Sequence, residues 1–104
     1  MDDKFCLFEN WFKLQKDRWS DIEITVTNTS YEKAAKTYYH NYKIELSSEN
    51  SEGTIQLFEN NDIYWVDLEC VNFDKDEYFC ISVDYFESID DISVHVQKLE
   101  TIMI

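Results

Sequence analysis

At 104 residues, with 44% apolar and 16% aromatic side chains, the chain is long enough for one domain, residues 1–104, and apolar enough to fold around a core. A formal charge of −13 argues for disorder only where hydrophobic content is low, and three Trp, seven Tyr and seven Phe do not fit a solvated coil. One Gly and no Pro exclude a glycine-rich phosphate loop, a dinucleotide fingerprint and a flexible linker.

The charge is segregated. Residues 1–43 carry seven acids and seven bases, whereas residues 44–104 carry fifteen acids and two bases. Such a field repels nucleic acid and anionic membrane and attracts basic proteins. The acidic start MDDKFCLF is no secretory signal, and no run of 18 apolar residues follows, so a cytoplasmic protein is expected. Three cysteines, at 6, 70 and 80, lack CxxC spacing and read as reduced thiols.

In chain order, Phe5, Phe8, Phe12 and Trp19 recur near helical spacing and predict an amphipathic helix over Asp3–Arg18, with Trp11 on its flank. Leu7 and Leu14 lie off the stripe, as incidental surface residues or a contact to a second subunit. Residues 21–28, DIEITVTN, alternate Ile22, Ile24 and Val26 with polar residues and predict a half-buried strand. Residues 29–41 read as a short helix or a long loop. Lys33, Lys36, Tyr38, Tyr39 and His40 interleave basic and aromatic groups there, but two lysines are too few for a nucleic-acid patch within so acidic a chain. A second strand spans Tyr42–Ser48, with a turn over Ser48–Gly53.

The stretch GTIQLFENNDIYWVDLECV, residues 53–71, predicts a β-hairpin with a type I′ turn at Asn60-Asn61, because Asn tolerates positive φ. That register pairs Phe58 with Ile63 and Leu57 with Tyr64. It places Ile55, Leu57, Tyr64, Val66, Leu68 and Cys70 on a core face, and Gln56, Phe58, Ile63, Trp65, Asp67 and Glu69 on the other. The acidic loop of residues 72–76 leads to a strand over Glu77–Phe86 whose core set is Phe79, Ile81, Val83 and Tyr85. Cys80 is out of phase with that set, so a Cys70–Cys80 bridge is not expected. Ser88 reads as the N-cap of a last helix carried by Ile89, Ile92, Val96, Leu99 and Met103.

The fold expected is therefore α+β: a five-stranded antiparallel sheet with the N- and C-terminal helices packed on one face, in the order α-β-β-β-β-β-α. The other face should present Glu23, Lys43, Glu45, Phe58, Ile63, Trp65, Asp67, Glu69, Tyr78, Cys80, Ser82 and Asp84. Together with the loops at Asp62 and at Asp74, Asp76 and Glu77, this face is the candidate partner surface. Phe58 and Trp65 would be anchors, and Asp67, Glu69 and Asp84 would pair with Lys or Arg. Catalytic signals are weak. The only histidines, His40 and His95, read as structural or solvent-facing, carboxylate pairs are uninformative among 22 acids, and the DKDE and DD clusters lack the Gly and ligand alternation of a calcium loop. Neither catalysis nor a metal nor a cofactor is expected.

The aromatic FxxWF segment (Phe8, Trp11, Phe12), the strands DIEITVTN and YKIELSSE, the hairpin of residues 53–71 and YFESIDDI before the last helix make the chain similar to the TriTu family of small bacterial immunity proteins. The resemblance spans nearly the whole chain, but not residues 29–41, and Asn60-Asn61 stand where a Ser-Gly type of turn would be unsurprising. It implies a cytoplasmic protein that binds and neutralises a cognate toxin of a polymorphic toxin or contact-dependent inhibition system, and a monomer is expected in the free state. Charge adds that the toxin is a basic, nuclease-type domain. Two other classes share these bulk features: a phage anti-CRISPR or anti-restriction inhibitor that mimics DNA, and an acidic, dimeric secretion chaperone.

Overall fold

The computed structural model describes residues 1–35 and 39–104. Lys36 and Tyr38, weighed above as part of a basic and aromatic segment, lie outside the described residues. Helix α1 (Asp3–Asp21) is followed by strands β1 (Thr25–Glu32), β2 (His40–Ser48), β3 (Ser51–Asn60), β4 (Ile63–Asn72) and β5 (Glu77–Asp84), and by helix α2 (Asp90–Met103). The strands form one antiparallel sheet in sequential order, the arrangement that short connections enforce. Both helices cover one face, as the α+β pattern requires.

Asp2 starts α1: its carboxylate accepts the Phe5 backbone N–H at 3.1 Å, satisfying one of the donors that a helix N-terminus leaves free. Phe5, Phe8, Phe12 and Trp19 are buried, while Leu7 and Leu14 face solvent, so the aromatic stripe is core. Phe5 packs against Tyr31, His40 and Tyr64, and Phe8 against Tyr42 and Phe86. Lys4 reaches Glu87 before α2, while Arg18 and Trp19 reach Glu100 near its end, so the two helices run parallel. Ile92, Val96, Leu99 and Met103 of α2 are buried as their spacing demands.

The C-terminus of α2 is capped by the sheet. Its terminal carbonyls accept hydrogen bonds from Ser48 and Ser51 to Met103 (2.7 and 3.0 Å) and from Asn72 to Ile102 (2.8 Å). These acceptors explain why polar Ser51 and Asn72 are buried. Gly53 lies beneath the same end: a Cβ there would meet Met103 Sδ at 2.9 Å and the Glu69 carbonyl at 3.1 Å. The single glycine thus allows close approach of helix and sheet rather than a turn.

Several local expectations are corrected. The turn between β3 and β4 is at Asn61-Asp62, both at positive φ (51° and 64°), rather than at Asn60-Asn61. The true pairs are Phe58 with Trp65 and Leu57 with Val66. The register error is two residues, so every side chain keeps its face. The first strand begins at Thr25, not Asp21, because α1 runs on to Asp21 and Glu23 turns the chain at φ 64°; Glu23 therefore does not belong to the sheet face. That strand then continues to Glu32, through part of the segment that read as helix or loop. A bulge between Val26 and Asn28 advances the phase by one, so Thr29 and Tyr31 pair with the core residues Ile44 and Tyr42.

At the far end of β5 a second bulge does the same. Asp84 pairs with Trp65, the Phe86 N–H donates to the Tyr64 carbonyl at 2.8 Å, and Tyr85 between them sits at φ 58°. The core residue is Phe86, fully buried, while Tyr85 is 71% exposed, contrary to simple alternation. The last helix is not capped by the Ser88 side chain. Instead the Asp91 carboxylate accepts the backbone N–H groups of Glu87 and Ser88 at 2.8 and 3.0 Å, which holds its pKa below the usual carboxylate value.

Candidate functional site

Alternation along five paired strands fixes the face opposite the helices. Its central rows, read from β1 to β5, are Glu32–Asn41–Phe58–Trp65–Asp84, then Ser30–Lys43–Gln56–Asp67–Ser82, then Asn28–Glu45–Thr54–Glu69–Cys80. Ser47, Glu52, Val71 and Tyr78 make the next row, and Ile63 stands beyond the first. Of the expected partner-binding residues, Phe58, Ile63, Trp65, Asp67, Glu69, Tyr78 and Asp84 do share this face. The others do not join them. Asp62 is at the β3–β4 tip and Asp74 and Asp76 are in the β4–β5 turn, at opposite ends of a ten-residue strand of roughly 33 Å. Glu77 has the parity of Phe79 and belongs to the helix-covered side.

Among the described residues, six carboxylates stand on the open face, Glu32, Glu45, Glu52, Asp67, Glu69 and Asp84, against one base, Lys43, which is bound to Glu45 at 3.1 Å. That neighbour, through its hydrogen bond and its charge, lowers the pKa of Glu45. Glu69 accepts the Tyr78 hydroxyl at 3.0 Å. Hydrogen bonds with Cys80 and Glu69 favour the neutral phenol and push the Tyr78 pKa up to about 12. Asp67 is half-buried between Gln56 and Ser82, and its Oδ1 is buried without a hydrogen-bond partner among the described residues. Such an oxygen weakens the fold by about 1–3 kcal/mol where nothing compensates it.

The first row holds the aromatic groups. Phe58 and Trp65 are direct cross-strand neighbours with nearly parallel rings (13°) and centroids 5.3 Å apart, and Tyr39 meets Trp65 edge-on at 5.4 Å. Beside them a groove of about 910 Å³ is lined by Glu32, Tyr39, Asn41, Gln56 and Phe58, among others. A second groove, of about 490 Å³, lies at the other end of the face along Glu45, Glu52 and Glu69. Carboxylates surrounding ring faces make a surface suited to cations and to partner side chains that need both apolar contact and charge.

Sequence reasoning missed Glu32, Tyr39, Asn41 and Glu52 on this face, the last because it was read as part of a turn. The alternation of Tyr31 against Ser30 and Glu32 carried the signal, and the bulge at residue 27 put it out of phase with the preceding residues.

The strongest polar cluster elsewhere surrounds His40, which begins β2 and is half-buried rather than placed in a loop. Its ring stacks on Phe5 (4.1 Å), its Nε2 contacts the Tyr31 hydroxyl, and its Nδ1 lies 3.3 Å from Glu59. Asp2 accepts the Tyr64 hydroxyl at 2.8 Å; burial, followed by this bond, raises the Tyr64 pKa. One donor atom each from Asp2, His40 and Glu59 falls within 4.8 Å of the others, a span that a metal ion could bridge. Every one of these groups already has a partner in the protein, and together they tie the start of α1 to the sheet. The thiols of Cys6, Cys70 and Cys80 are free, with Cys70 in the core and Cys80 on the open face, as their opposite phases require. Among the described residues, no helix is long and apolar enough to cross a membrane.

Compared with known proteins, the chain matches no family model, no curated protein and no solved structure.

Proposed function

We propose that the chain is an immunity-type inhibitor that binds a basic toxin domain through the open face of its sheet. The observation that carries this reading is the composition of that face among the described residues, six carboxylates and aromatic anchors against a single lysine already committed to Glu45. An ordinary solvent face of an antiparallel sheet mixes charges of both signs and has no need of a stacked Phe–Trp pair. A nuclease holds phosphates with Lys and Arg, so an acidic protein can occupy that site or an adjacent surface, gaining fast, salt-sensitive association and discrimination against other partners. The TriTu resemblance read in the sequence, which no family model matches, is part of this proposal and implies the same role.

The test is co-expression with the C-terminal domain of the polypeptide encoded immediately upstream. The expected results are a complex that weakens with salt, rescue of growth, and loss of rescue when Trp65 and Asp67 are replaced together. A complex and rescue unaffected by those replacements would remove the sheet face from the proposal. Failure of both complex and rescue would remove the toxin.

A further inference from the structure

The first row of the open face has a chemistry of its own. Phe58 and Trp65 stand side by side at 5.3 Å, and the next position in the row, one strand spacing from Trp65, is the exposed carboxylate Asp84. Among the described residues, no cation is placed against this group. Among the described residues, the lysines placed over rings are Lys4, at Tyr64, and Lys98, at Phe79, both on the helix-covered side. The face's own lysine, Lys43, lies in the neighbouring row and is held by Glu45. Asp84 has no ion pair among the described residues, so an unpaired carboxylate adjoins an aromatic group whose rings pack on one another, Phe58 stacked with Trp65 and Tyr39 edge-on to it.

We infer that the partner seats an arginine here, its guanidinium laid against the Phe58–Trp65 pair and forked onto Asp84. The inference rests on the basic-partner reading and narrows it from positive charge to one side chain. Arginine is the cation whose shape fits: its planar, weakly hydrated guanidinium stacks on an aromatic face while its N–H groups bind a carboxylate side-on. Lysine offers a compact, strongly hydrated point charge that can satisfy Asp84 or approach a ring, but cannot lie flat on one and fork to the other. Arginine is also a preferred hot-spot residue, together with the Trp that would receive it.

The experiment uses the full chain, labelled with ¹⁵N, and two blocked pentapeptides, one with two arginines among glycines and the other with lysines in their place. At low salt, the arginine peptide is expected to shift the Trp65 indole N–H and the amides of Phe58, Trp65 and Asp84. It should bind at least about fivefold more tightly than the lysine peptide, the scale of one good cation–ring contact. Asp84→Asn and Trp65→Ala should each bring it down to the lysine peptide's affinity. Asp84→Asn changes only an exposed side chain, so its outcome does not depend on how well the tryptophan variant folds. Equal binding of both peptides on this face would overturn the arginine assignment and leave the basic-partner reading standing. Shifts confined to other surfaces, or none on this face, would overturn the assignment and count against the face itself.

Discussion

Glu100 is the test of what holds the two helices together. Its carboxylate is buried and accepts hydrogen bonds from the Trp19 indole, at 3.1 Å, and from Arg18, which is half-exposed. Replacing it by Ala leaves the indole N–H of a fully buried tryptophan without an acceptor, at a cost of about 1–3 kcal/mol. Losing the one buried methylene, Cγ, adds roughly 1 kcal/mol, whereas Arg18 regains water and contributes no more than about 1 kcal/mol. The expected destabilisation of Glu100→Ala is therefore about 2–5 kcal/mol, a fall in Tm of roughly 10–30 °C for a domain of this size. Glu100→Gln keeps the volume and an acceptor for Trp19 and removes only the charge, so its cost should stay near about 1 kcal/mol. Thermal and urea unfolding of both variants decide the matter. Equal damage from the two would show that charge, not the indole hydrogen bond, dominates, and an Ala variant within about 0.5 kcal/mol of the parent would refute the reasoning.

Tyr85→Gly should stabilise the fold by about 0.5–1 kcal/mol, since a left-handed backbone disfavours a side chain and this one is mostly exposed; destabilisation in urea would show that the ring makes a contact that matters. Alkali should unfold the protein through two core groups, both raised first of all by burial: the Cys70 thiol, pushed up to about 11, and the Tyr42 phenol, pushed up to about 12. A raised pKa contributes stability that is complete below the unfolded value and is lost as pH rises through the folded one. Urea midpoints should therefore hold steady up to about pH 9 and fall between about 9 and 12. Cys70→Ala should flatten the early part of that fall, and an unchanged slope in the variant would reassign it.

The fold was legible where the signal is local. Helical spacing of Phe5, Phe8, Phe12 and Trp19 placed α1, and alternation from Gly53 to Cys70 assigned both faces of the central hairpin, even with the turn displaced by one residue. Side-chain parity has a period of two, so a register error of two residues changes every cross-strand partner and no face. This also explains why alternation alone sets Phe58, Trp65, Asp67, Glu69 and Asp84 on one surface, while the contact between Phe58 and Trp65 depends on the true register.

The sequence by itself determined the element order, the acidic open face and the separation of Cys70 from Cys80, because each follows from periodicity within one segment. Tertiary structure alone decided where the alternation is broken. The bulges at residue 27 and at Tyr85 exist because neighbouring strands and the buried Phe86 hold them. They determine that Glu32 joins the open face and that Tyr85 leaves the core. It also decided that loop carboxylates Asp62 and Asp74, both plausible partners of the face in one dimension, stand at opposite ends of the sheet. Separation along an extended strand is set by its rise of about 3.3 Å per residue, and nothing in a stretch of acidic letters records which end of the strand it will cap.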